Sequence, residues 1–166
     1  MKRALPLAFL ATIAFTLPAF AADPILSRLV GSWTGRGSYK ESAAAAEERI
    51  FCKITNTLVE NGTALKQSGR CAVTSGSSAI TGLIKSTGGG RYSGTFDSLA
   101  SDGPATVNGT GSGGRLTLSM AFVDSQSHAS VKSVTTMTIT GKGYRLLSRR
   151  SDGGRTWTPT DINFTK

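Results

Sequence analysis

The sequence predicts an all-β chain closed into a single antiparallel, up-and-down β-barrel of about 8–10 strands. Three observations predict it. Helix signals are almost absent beyond residue 22, where the chain runs in short alternating segments broken by Gly, Asn, Asp and Ser. Asn61-Gly62, between two such segments, is the strongest short hairpin signal in the chain. The stretch Gly31-Ser32-Trp33-Thr34-Gly35-Arg36-Gly37 places Trp33, Gly35, Gly37 and Tyr39 on one face of a strand. A large aromatic followed by two glycines on one face fits a sheet that bends tightly over a Trp.

Residues 1–22 read as a secretory signal peptide helix, to be cleaved, and residues 23–166 as one barrel domain. Met1-Lys2-Arg3 is basic, residues 4–17 are apolar, and Ala19-Phe20-Ala21 is a small-x-small cleavage site. The apolar run is short for a membrane span of about 20 residues, and no transmembrane segment is expected in the mature chain. The expected location is the periplasm or the exterior. Removing Lys2 and Arg3 from 19 basic residues leaves 17 against 10 acidic ones, a net charge of 17 − 10 = +7. That charge favours an anionic envelope surface as a partner. Export argues against nucleic acid.

Taken in order, residues 24–29 predict one helical turn with Ile25, Leu26 and Leu29 inward. The segment 42–48 holds four consecutive alanines but is too short for a stable helix and reads as a loop. Strands follow at 48–59, 63–73, 78–85, 91–97, 106–110, 115–122, 132–140, 144–150 and 156–165. The cleanest alternation is 115–122, with Leu116, Leu118, Met120 and Phe122 inward. Tyr92 and Phe96, Met137 and Ile139, and Ile162 and Phe164 take inward positions on their own strands. Closing this meander removes exposed edges.

Cys52 and Cys71 are the two cysteines, and in an exported chain an even pair reads as one disulfide. A two-residue Asn61-Gly62 turn makes Glu60 face Thr63, so facing residue numbers sum to 60 + 63 = 123. Leu58 then faces Leu65, Ile50 faces Val73, and Cys52 faces Cys71, all on one face. The same count puts the cysteines in a hydrogen-bonded pair, with Cα atoms about 5.5 Å apart. The pair flanks one hairpin, whereas an immunoglobulin-like sandwich joins two sheets by its disulfide. The spacing matches no metal motif, and no metal site is expected.

With these residues in view, Gly31-x-Trp33 after a short lead-in resembles the opening of lipocalin-like (calycin) barrels. The longer Gly-x-Trp-x-Gly-x-Gly at 31–37 is similar to the opening of nitrobindin-type ten-stranded barrels. The whole pattern resembles small exported alphaproteobacterial proteins. The lipocalin resemblance implies a basic residue near the chain end packed across Trp33, for which Arg149, Arg150 and Lys166 are candidates. The nitrobindin resemblance implies haem on an interior His, yet His128, the single His, falls in the loop between residues 122 and 131. No cofactor is expected. Fatty-acid-binding barrels carry an interior Arg-x-Tyr; here the order is Tyr144-Arg145. Asp152-Gly153-Gly154-Arg155-Thr156-Trp157 is similar to the Asp-box of sialidase propellers, with Arg150 in place of its leading Ser and a single copy. Asp152 and Trp157 therefore read as a structural clip of the last hairpin.

Enzyme chemistry is not expected. Asp124, Ser127 and His128 share one polar loop, whereas a triad converges from separate elements. The binding reading rests on Trp33, Tyr39, Tyr92, Phe96, Leu118, Met120, Phe122 and Met137, all inward by alternation. A barrel of this size either holds a small ligand or fills itself with side chains. The expected function is a non-enzymatic periplasmic binding protein for a small apolar or amphipathic, lipid-like ligand. The alternatives are an envelope protein-interaction module, such as a protease inhibitor or assembly factor, and a haem-binding barrel.

Overall fold

Ten antiparallel strands follow one another around a closed barrel: β1 (Gly31–Tyr39), β2 (Glu48–Val59), β3 (Ala64–Val73), β4 (Gly76–Gly88), β5 (Arg91–Asp97), β6 (Ala105–Ser112), β7 (Arg115–Val123), β8 (Ser130–Ile139), β9 (Gly143–Asp152) and β10 (Arg155–Thr165). Each strand pairs with the next, and β1 pairs with β10 to close the ring. The all-β, up-and-down barrel expected from the sequence is the observed fold. The computed structural model describes residues 22–97, 101–152 and 154–166, so the expected signal peptide lies outside the described residues apart from Ala22.

Alternation sorts each strand into a lumen face and an outer face. On β2, Ile50, Cys52, Ile54 and Asn56 are buried, while Arg49, Phe51, Lys53 and Thr55 are exposed. β10 buries Ile162 and Phe164 in the same way.

The closing seam explains the two glycines of β1. Gly35 pairs with Phe164 and Gly37 with Ile162. A Cβ at Gly35 would come within 2.5 Å of the Phe164 ring, and one at Gly37 would collide with the Asp161 carbonyl. Absent side chains let β10 lean across β1. Phe164 stacks on Tyr144 at 4.6 Å between centroids, and Tyr144 meets Trp33 edge-on at 5.2 Å. Lys166 Nζ lies 5.1 Å from the centre of the Trp33 ring, a cation–π contact. Of the three basic residues considered, Lys166 takes that place.

A short helix, α1 (Pro24–Arg28), closes the lower end of the barrel. Asp23 caps it, its Oδ1 accepting from the amides of Ile25 and Leu26 at 3.0 Å each. Pro24 follows at the first helical position, where its missing N–H is no loss. The Asp23 carboxylate also accepts from the Tyr92 hydroxyl of β5. Arg28 donates to the Ile139 carbonyl at the end of β8. Ile25, Leu26 and Leu29 are buried in the lumen, as the sequence predicts.

The first hairpin keeps the expected register, with Leu58 facing Leu65 and Cys52 facing Cys71. The two cysteines form a disulfide. Their hydrogen-bonding parity differs from expectation: the Cα atoms are 4.1 Å apart, the spacing of a close, non-hydrogen-bonded pair. The reason lies in the turn. Glu60 as well as Asn61 and Gly62 has positive φ, and the ladder's first pair is Val59 with Ala64. The loop thus occupies four residues, and the alternation along the ladder starts one pair later.

Candidate functional site

The half of the barrel away from α1 holds a cavity of about 150 Å³. Its position follows from side-chain size. At the lower end α1, Trp33, Leu116, Leu118 and Met137 belong to the packed core. Higher up, β8 and β9 offer short inward side chains, Ser133, Thr135 and Ser148, which leave volume unfilled. Ile50, Ile54, Ile80, Leu146 and Ile162 supply apolar walls.

The structure divides the eight aromatic, Leu and Met residues singled out from the sequence. Tyr39, Phe96, Met120 and Phe122 line the cavity. Trp33, Tyr92, Leu118 and Met137 are buried but do not line it. Tyr92 is committed to Asp23, and Trp33 Nε1 donates to the Leu29 carbonyl at 2.8 Å. The division comes from α1, which fills the lower lumen that alternation alone assigns to every inward residue equally.

Polar groups meet the cavity at three levels. Near the floor, Asn56 Nδ2 donates to the Leu29 carbonyl and Gln67 Nε2 donates to Asn56 Oδ1, each at 2.9 Å. Asn56 is fully buried, and Gln67 reaches the cavity. Tyr144 lines the cavity as well, and its hydroxyl has no hydrogen-bond partner among the described residues. Burial pushes this phenol above its ordinary range, and the neighbouring Asn56 side chain works against it. Asn56 is already engaged with Leu29 and Gln67 and forms no hydrogen bond with the hydroxyl. On the wall, Thr135 Oγ1 and Ser148 Oγ share a hydrogen bond at 2.8 Å.

At the rim, Arg150 of β9 is held on several sides. Its Nη1 and Nη2 donate to Asp124 Oδ2 at 3.2 Å each. The guanidinium carbon lies 5.6 Å from the Phe122 ring centre and 5.2 Å from that of Trp157. The other oxygen of Asp124 accepts from the amides of Gln126 and Ser127 and from the Ser127 hydroxyl. Burial works to raise the Asp124 pKa, but the Ser127, Arg150 and Gln126 hydrogen bonds together outweigh it and hold the carboxyl below its usual range. Arg150 and Glu41 also border a second, polar cleft of about 530 Å³ outside the rim. An apolar chamber therefore meets a polar vestibule at one clamped arginine.

Trp157 of the expected clip packs under Arg150, a contact that the Asp-box likeness did not indicate. The side chain of Asp152 lies outside the described residues. Sequence reasoning places none of Arg150, Asp124, Gln67 and the Thr135–Ser148 pair at the cavity or its rim. A period-2 signal existed for two of them, Ser148 and Arg150, which fall on one face of β9 with Tyr144 and Leu146.

The residues do not fit haem. The His128 side chain is 72% exposed and sits 3.6 Å from Asp102, outside the cavity. A chamber of about 150 Å³ is on the scale of an engineered benzene-sized cavity, not of a macrocycle. Ser127 and His128 form no relay: the Ser127 hydroxyl donates to Asp124, while His128 turns to Asp102.

No protein-family model matches the chain, and no curated protein sequence matches it.

Proposed function

We propose that the protein is a non-enzymatic, exported binding protein of lipocalin-like type that carries or senses a small apolar or amphipathic molecule. The observation that carries this reading is the apolar chamber of about 150 Å³, closed below by α1 and bordered above by Tyr39, Lys40, Glu41 and Arg150. Its volume lies below the 300–1,000 Å³ of drug-sized pockets. One aromatic ring or a short alkyl segment fits inside, and a polar end reaches the Arg150 rim. A long acyl chain does not fit whole. The disulfide is compatible with export. Lys166 over Trp33 supports the likeness to calycin barrels.

Native mass spectrometry of protein purified from its own cell envelope tests the reading, with a retained small molecule as the expected result. Binding of a benzene-sized fluorescent or calorimetric probe is expected to be lost in Met120→Lys, which puts a charge in the wall. Absence of probe binding by the unaltered protein would mean a barrel without a ligand role.

A further inference from the structure

We propose that the outer wall of β1–β3, centred on Phe51, docks the protein on an anionic phospholipid surface. The inference is independent of the cavity ligand. Phe51 is an exposed large hydrophobic residue, 37% accessible, in the middle of a basic field. Arg36 faces it directly across β1 and β2, with its guanidinium 5.2 Å from the ring centre. Lys53, two residues along β2, places its ammonium 5.9 Å from the same ring. Arg49 flanks Phe51 on the other side along the strand and is exposed.

Lys53 in turn faces Arg70 of β3. Two like charges directly opposite on neighbouring strands destabilise a sheet unless an anion lies over them. Among the described residues, no carboxylate forms an ion pair with Arg36, Arg49, Lys53 or Arg70. Of the outward acids near this field, Asp161, opposite Ser38, is already held by Arg145, and Glu47, two residues before Arg49 at the edge of the field, forms no ion pair with it. Four cations thus surround one exposed ring without an ion-paired carboxylate among the described residues.

The layout distinguishes a surface from a linear polyanion. The charges spread across three strands, about 10 Å, and along β2 from Arg49 to Lys53, about 13 Å. An array extended in both directions around an apolar centre matches a lattice of phosphate headgroups, with the ring entering the acyl boundary. A linear polyanion would engage one row of cations and leave Phe51 unused.

Co-sedimentation with vesicles of mixed phosphatidylglycerol and phosphatidylcholine tests the proposal, with pure phosphatidylcholine vesicles as comparison. Binding is expected only to the anionic vesicles and is expected to be released near about 0.5 M NaCl. Arg36→Ser with Lys53→Ser should weaken it about 25-fold, at about fivefold per cation near the surface. Phe51→Ser should weaken it at unchanged charge. Arg91→Ser with Arg115→Ser, an equal charge loss at exposed positions on β5 and β7, should leave it within about twofold. These positions are exposed, so thermal melting is expected to show every variant folded. No binding to anionic vesicles, equal binding to neutral ones, or equal losses in the two double variants would overturn the proposal. So would full competition by heparin together with an unchanged Phe51→Ser, which identifies a linear polyanion as the partner.

Discussion

Gly35 lies directly across the β1–β10 seam from Phe164, whose ring occupies the space where a Cβ on Gly35 would stand. The backbone of Gly35 does not take the left-handed conformation, so the requirement is for space alone. Gly35→Ala should lower stability by about 1–3 kcal/mol, the usual range for overpacking. Adding Phe164→Leu should recover part of that loss in urea unfolding. Strictly additive losses in the double variant would show that the two positions do not compete for one space.

The Tyr144 hydroxyl is buried and has no hydrogen-bond partner among the described residues, so its removal should not destabilise the barrel. Tyr144→Phe keeps the stack on Phe164 and deletes only the unsatisfied group. The expected change in stability is between zero and about 1 kcal/mol in favour of the variant. A loss larger than about 1 kcal/mol in thermal or chemical unfolding would reveal a hydrogen bond at that hydroxyl.

The disulfide joins Cys52 and Cys71 across one hairpin. Intact mass of the non-reduced protein after alkylation should show no modified thiol, and two after reduction. On the chain-entropy view a bridge closing so short a loop contributes about 3 kcal/mol. Cys52→Ser with Cys71→Ser should lose about that much. Two thiols alkylated without reductant would refute the bridge.

Asp124 gives the stability a defined acid dependence. Its folded carboxyl sits below the ordinary value of about 3.9. A depressed carboxylate contributes stability that is present above the unfolded value and lost as pH falls through the folded one. Asp124→Asn should therefore cost about 2–3 kcal/mol at neutral pH, by loss of charge-assisted bonds and an unpaired Arg150. The gap to the unaltered protein should close below about pH 4. A gap constant from neutral pH down to strong acid would remove Asp124 from this role.

Much of the barrel was legible because alternation and turn chemistry agree. Asn61-Gly62 set the register that brings Cys52 to Cys71, and Trp33 and Phe164 went to the lumen by period alone. The hydrogen-bonding parity was not legible, because it depends on the backbone of Glu60, a residue with no side-chain reason for positive φ. The site was legible by half. Period 2 says which side chains enter the lumen but not at what height. The height at which packing stops is set by α1, fixed by Asp23 to Tyr92 and by Arg28 to Ile139, contacts between residues far apart in the chain. The Arg150 clamp was hidden for a related reason, since Trp157 faces Arg150 within the last hairpin while Phe122 and Asp124 come from the end of β7, far away in the chain.

The strand order also fixes a sequence of events in time. Nine of the ten pairings join neighbours in the chain, and only β1 with β10 joins its two ends. Loop closure makes that one pairing the most expensive to nucleate, so the hairpins form first and the seam last. Losses at a late-forming contact fall on the rate of opening more than on the rate of assembly. Gly35→Ala should then speed unfolding in stopped-flow mixing while leaving refolding nearly unchanged. The lifetime of the closed barrel is the lifetime of the contact between its first strand and its last.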